Sequence, residues 1–251
     1  MSGGAKWRAI AGDIRAQIAS GELAPGDPVP SEDVLAARYG VARMTARTAL
    51  QHLEQTALVT PAQPGGSRTV ARRELIPVSL TRAAERVSEG ESPTRGADSW
   101  LGDMAAAGRE PSQEIVVIIA TAVADVARHL MLTEGVPVIA RQLVREAGGA
   151  RHNMITFWFP GDVAHGTVLA DPGSIKEGSL AWLEQKFGPL IHTIELTTRQ
   201  PTADEAKVLS IPAGVPVLVV WRTSTMQGGL PVVASMAIYP GDRALLRLDH
   251  L

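Results

Sequence analysis

Early in the chain the apolar positions recur every three or four residues; later they gather into short runs broken by glycine and proline. Trp7, Ile10, Ala11, Ile14 and Ile18 fall on one stripe and predict a first helix, stopped by Gly21 and the turn Pro25-Gly26-Asp27-Pro28. Pro30-Ser31-Glu32 opens a second helix, with Ser31 as N-cap, Glu32 and Asp33 at the positive end of its dipole, and Gly40 as its stop. Leu35, Ala36 and Tyr39 face inward on it. A third helix starts at Arg43, buries Ala46, Ala49, Leu50 and Leu53, and leaves Arg43, Thr45, Arg47, Thr48 and Gln51 around its remaining surface. Leu58-Val59-Thr60 and Arg68-Thr69-Val70 read as two short strands joined through Gly65-Gly66, a wing.

Between Arg72 and Ser99 the apolar periodicity fades and Ser, Glu, Arg and Gly dominate, so residues 74–98 are expected to be a linker. Trp100 to Ala107 predicts a helix stopped by Gly108, and the apolar run Ile115 to Ala120 a strand. An internal repeat follows. Ala127-x-x-Leu130-x-Leu132-x-x-Gly135-Val136-Pro137-Val138 recurs as Ala206-x-x-Leu209-x-Ile211-x-x-Gly214-Val215-Pro216-Val217, and Pro160-Gly161-Asp162 recurs as Pro240-Gly241-Asp242. Thr202 and Glu205 form a capping box for the helix of the second copy. Two helix–strand–strand copies predict a pseudo-symmetric antiparallel sheet with helices packed against it.

With 45% apolar residues in 251, the chain can bury a substantial core. No apolar run reaches the length of a membrane span, and the start lacks the layout of a secretory signal. The absence of cysteine excludes disulfides and thiolate metal sites and fits a cytoplasmic protein. The net charge of −2 conceals an asymmetry: residues 1–74 carry nine Lys/Arg against seven Asp/Glu, the rest fifteen against nineteen. The six histidines are dispersed, with neither metal-ligand spacing nor a nucleophile–base set, so no cofactor, metal or catalytic group is expected.

Arg43 and Arg47, four apart, point to one side of the third helix and can reach phosphates or guanine edges, while Thr45 and Thr48 are short enough to allow close approach. Arg38 and the wing residues Gly65, Gly66 and Arg68 join them as candidate DNA contacts. Cations alone fit a solvated helix face equally well. The complete layout of three helices and a glycine-turned hairpin favours DNA.

Residues 7–70 resemble the winged helix–turn–helix of the GntR family of bacterial transcription regulators. The resemblance is carried by Ile14-Arg15-x-x-Ile18, Gly21-x-Leu23-x-Pro25-Gly26, Pro30-Ser31-Glu32, Leu35-Ala36, Tyr39-Gly40-Val41 and Arg43-Met44-Thr45-x-Arg47-x-Ala49-Leu50. It implies that Arg43, Thr45 and Arg47 sit at operator-contacting positions and Gly65 at the wing. The family often has arginine at Asp33, serine at Ala42 and glycine at Ser67. Asp33 repels phosphate, so a changed or looser contact is expected there. Residues from about 95 to 251 resemble the UTRA domain of the HutC branch, through Ala127-x-x-Leu130-x-Leu132, Gly178-Ser179-Leu180, Pro201 to Leu209, Val217 to Arg222 and a closing strand with Asp242-Arg243.

The implied architecture is α+β: a winged helix–turn–helix (1–73), the linker (74–98), and a UTRA-like, chorismate-lyase-like antiparallel sheet domain with helices (99–251). The implied function is a repressor that binds a palindromic operator as a homodimer and answers to a small-molecule effector, with no membrane partner. A body that only dimerises, and a lyase-like enzyme, are the competing readings. Effector candidates are Arg145, Ser179, Arg222 and Tyr239. Ser179 either joins free helix N–H groups in holding an anion or caps its helix. Arg222, inside an apolar strand, requires a ligand carboxylate, a structural ion pair or an exposed edge. Arg145 carries the same ambiguity, and Tyr239 matches a family ligand position unless it only packs. The HutC pattern has arginines at Leu143 and Arg145 and glutamates at Ile155 and Val233, so this chain keeps one of four. A more apolar effector than an amino-sugar phosphate is expected.

Overall fold

The structure, a computed structural model, describes residues 3–61, 67–71, 76–79, 99–212 and 214–247. The chain divides into two compact units, Met1–Leu75 with Gln200–Pro216, and Ile76–Arg199 with Val217–Leu251.

In the first unit, α1 (Gly3–Ser20), α2 (Glu32–Tyr39) and α3 (Arg43–Gln55) enclose a core of Ile10, Ile14, Leu35, Ala46, Ala49, Leu50 and Leu53. Each comes from the stripe its periodicity predicts. Ser31 caps α2, its side chain accepting the Val34 N–H at 3.4 Å, and Gly40 ends it at φ 59°, a left-handed turn natural to glycine. Ala42 precedes α3 in extended conformation with no side-chain cap. The wing strands β1 (Val59–Thr60) and β2 (Thr69–Val70) pair antiparallel, and the Val29 N–H donates to the Arg68 carbonyl at 2.8 Å. Gly65 and Gly66 lie outside the described residues, as does the expected linker except for β3 (Ile76–Ser79).

The second unit is built on a six-stranded antiparallel sheet in the order β4-β5-β6-β9-β8-β7. Its strands are β4 (Pro111–Thr121), β5 (Pro137–Ala147), β6 (Ala150–Pro160), β7 (Ile191–Arg199), β8 (Val217–Thr225) and β9 (Pro231–Pro240). The order is symmetric about the β6–β9 seam, as the internal repeat predicts. Both hairpins even break register at matching places, Arg145/Glu146 and Ser224/Thr225. The helices in chain order are α4 (Ser99–Ala106), α5 (Ala124–Leu130), α6 (Gly161–Ala164), α7 (Ser179–Phe187) and α8 (Ala203–Val208). The last of these falls within the first compact unit, and its Thr202–Glu205 capping box is formed.

The apolar run at Ile115 lies in a strand, as expected; that strand is eleven residues long and sits on the sheet edge, where Val116, Ile118 and Ile119 are exposed. Tyr239 lies on β9; a final short strand, β10 (Ala244–Arg247), follows and pairs in parallel with β3.

One sheet face packs on α6, a 3-10 turn (Val168–Ala170) and α7 through Ile139, Leu143, Phe157, Phe159, Val163, Ala164, Leu169 and Leu183. The other face packs on α5 through Val126, Ala127 and Leu130 against Val138 and Ala234. Among the described residues no helix is long and apolar enough to cross a membrane.

Candidate functional site

In the first unit, burial of Ala46, Ala49, Leu50 and Leu53 turns the opposite side of α3 outward. Arg43 and Arg47 stand there with 67% and 52% of their side chains exposed, beside Thr45 and the exposed Thr48, whose hydroxyl donates to the Met44 carbonyl. Arg38 is also exposed, on the last turn of α2 with its guanidinium 5.7 Å from the Tyr39 ring. Arg68 is mostly enclosed: its Nε donates to Glu54, and a terminal nitrogen lies 3.5 Å from Glu32. Sequence reasoning placed Asp33 at this surface but missed the contacts of Glu32 with the cations. Glu32 reaches Arg43 Nε at 3.1 Å and Arg47 Nε at 3.7 Å, and Asp33 lies 3.4 Å from Arg43 Nε. The available signal for Glu32 is its place at the opening of α2, where a carboxylate also favours the helix dipole.

In the second unit, strand alternation and the pairing register place side chains in rows on the face that carries α7. Arg145, Asn153 and Tyr239 lie toward one end; Leu143, Ile155, Ala237 and Val220 follow; then come Arg141, Phe157, Ser235 and Arg222. An apolar strip therefore runs between two rows that each hold arginine. Arg141, buried, donates to the Asp171 and Gly173 carbonyls and fixes that loop over the sheet. The Arg145 guanidinium sits 5.0 Å from the Trp100 ring, and its Nε donates to Gln113 at 3.3 Å. Trp100 stacks on His152 at 5.7 Å, and His152 meets Tyr239 edge-on at 5.7 Å.

Burial, then Arg145, Arg109 and Arg243, push the His152 pKa down to about 4, so the ring is neutral near pH 7. Burial raises the Tyr239 pKa against the opposing pull of Arg145, the Asn153 amide and Arg222. Burial lowers that of Arg222. Asn153 is fully buried facing the Tyr239 hydroxyl, yet among the described residues neither its amide nitrogen nor its oxygen has a partner of good hydrogen-bond geometry. An open depression of about 420 Å³ adjoins this cluster, lined by Leu101, Gln113, Ile115, Pro172 and Ser174 among others.

The structure thus brings Arg145 and Tyr239 together and sets Arg222 on the same face, two rows away. Since β8 lies between β9 and β7, the exposed-edge explanation of Arg222 fails. Ser179 is on the first turn of α7, and the cap residue is Gly178, so capping does not occupy the Ser179 hydroxyl. His152, Asn153 and Trp100 were missed. The register shift in the β5–β6 hairpin hides the direction of its polar pair from simple alternation.

The family model described as bacterial regulatory proteins, gntR family, matches residues 6–70, and the UTRA domain model matches residues 106–244. An uncharacterized HTH-type transcriptional regulator of Streptomyces coelicolor is 30% identical over 250 residues, covering 95% of this chain and 90% of that protein. The HTH-type transcriptional repressor NagR of Bacillus subtilis is 24% identical, covering 92% and 88%. A solved GntR-family transcriptional regulator superposes with a TM-score of 0.61 at 24% identity, covering 98% of this chain and 97% of that one.

Proposed function

The chain belongs to the GntR family of bacterial regulatory proteins, in the branch whose second domain is a UTRA domain, and on that premise we propose that this DNA-binding transcription regulator is a cytoplasmic repressor. It binds a palindromic operator as a homodimer, one head per half-site, because a single head covers too few base pairs for specific recognition. The observation that carries the operator reading is the outward side of α3, where Arg43 and Arg47 stand exposed beside Thr45 and Thr48. The name of the similar Bacillus subtilis protein, a repressor, supports the direction of control.

The effector reading rests on the second unit. A small anion with an apolar body fits the strip Leu143, Ile155, Ala237 and Val220 flanked by Arg145 and Arg222, with Tyr239 and Asn153 as hydrogen-bonding groups. Ser179, on a helix packed against the same face, is a further candidate contact. Its binding changes operator affinity by the coupling free energy between the two sites. The role assigned to this domain is binding, not catalysis.

Selection of duplexes from a randomised pool tests the first part. A palindrome should be enriched, and replacing both Arg43 and Arg47 by alanine should abolish the enrichment. Unchanged enrichment would sink the operator reading. Calorimetric titration tests the second part, since tight binding of glucosamine 6-phosphate contradicts an apolar effector.

A further inference from the structure

We propose that Glu32 is the positioning residue of the operator-reading surface, one carboxylate that orients the guanidinium groups of Arg43 and Arg47 on α3 and ties them to Arg68, just before the second wing strand. The proposal rests on the operator-binding role of α3 and goes beyond it. Glu32 Oε2 lies 3.1 Å from Arg43 Nε, while Oε1 lies 3.7 Å from Arg47 Nε and 3.5 Å from Arg68. Arg68 in turn donates to Glu54 of α3, so the carboxylate sits where the start of α2, the body of α3 and the wing meet.

Two features distinguish positioning from masking. The first is burial: the Glu32 side chain is only 13% exposed, whereas those of Arg43 and Arg47 are 67% and 52% exposed. The carboxylate lies behind the surface and the cations in front of it. The second is the atom engaged. Both recognition-helix arginines meet Glu32 through Nε, at the inner elbow of the guanidinium. The outer edge with its two terminal nitrogens is the one that forms paired hydrogen bonds to a guanine edge or a phosphate. Held at the elbow, each guanidinium presents that edge outward. A long side chain fixed in this way has less rotamer entropy to lose on binding.

Charge alone and positioning by Glu32 have opposite consequences. Glu32→Gln removes a negative charge beside the DNA and should tighten a purely electrostatic contact. Positioning predicts that the same variant loosens specific binding. The full-length chain and its Glu32→Gln variant are therefore titrated by fluorescence anisotropy against two duplexes: the sequence enriched by the native chain from a randomised pool, and a scrambled duplex of equal length. The expected result is a loss of about tenfold or more on the enriched duplex, with equal or tighter binding to the scrambled one. Unchanged or tighter binding to the enriched duplex overturns the proposal.

A second measurement needs neither a variant nor an operator. In the native chain the Nε–Hε resonance of Arg47 should be shifted and protected from exchange relative to the exposed Arg15, whereas that of Arg43 also reports Asp33, 3.4 Å from the same Nε. Coincidence of the Arg47 resonance with that of Arg15 overturns the proposal even if Glu32→Gln proves unfolded. Failure to enrich any duplex instead counts against the operator reading, and the resonances still decide the role of Glu32.

Discussion

At the scale of single residues, charges set close to the recognition surface have consequences with a definite sign. Asp33, with 70% of its side chain exposed and 3.4 Å from Arg43, puts a carboxylate beside a cation of the recognition helix. Asp33→Asn should tighten operator binding about threefold, and Asp33→Arg about tenfold, by removing repulsion and adding a phosphate contact. Anisotropy titration checks this, and weaker binding by Asp33→Asn would mean that the aspartate itself contacts a base. His152 makes a prediction about stability. Its folded pKa, about 4, lies below the ordinary histidine value of 6.5 because of burial and the facing Arg145, Arg109 and Arg243. Between those two values the unfolded chain binds the extra proton. The stabilisation is thus complete above pH 6.5 and is lost as pH falls toward 4. Lowering pH from 7 to 5 should cost the native chain roughly 2 kcal/mol through this group. Burial also lowers the His192 pKa to about 4, so that group costs stability over the same range. Urea unfolding at both pH values should therefore show a loss smaller by roughly 2 kcal/mol in the His152→Gln variant than in the native chain.

At the scale of elements, the helix ends offer the cleanest test. Ala42 holds the extended geometry of an N-cap, φ −65° and ψ 145°, but has no side-chain acceptor for the first free N–H groups of α3. Ala42→Ser should stabilise the head by about 1 kcal/mol, read as a higher urea midpoint at unchanged slope. A lower midpoint would show that the serine hydroxyl is not accepted at this position. What was legible in the sequence follows from how local each feature is. Arg43 and Arg47 could be placed together from their spacing on one helix, and the sheet symmetry from a repeat visible in the residues. The hub at Glu32 could not, because it depends on how α2, α3 and the wing approach one another. Nor could the β3–β10 pair, a parallel contact between the two ends of the second unit. Of the effector candidates, Arg145 and Tyr239 were found by likeness to a family. Asn153 and His152 escaped because the register shift places neighbouring polar residues where strict alternation would not.

At the scale of the whole molecule, the charge distribution says how DNA binding must respond to salt. The net charge of −2 rules out general polycation behaviour, so attraction to DNA comes from the local cations of the head. Each phosphate neutralised releases counterions and adds about 0.9 to the magnitude of the slope of log affinity against log salt. If Arg43 and Arg47 of each head meet phosphates, a two-headed complex should give a slope near about −4, whereas a duplex carrying one half-site should give roughly half of that. If they read guanine edges instead, the slope shrinks while the effect of changing those bases grows to about 1–3 kcal/mol each. Titrating the palindrome and the half-site across a salt series separates the two. Equal slopes on both duplexes would remove the second head from the complex and with it the homodimeric reading. A halved slope on the half-site would place the cations of two heads on one operator, a result that buried area or fold similarity could not supply.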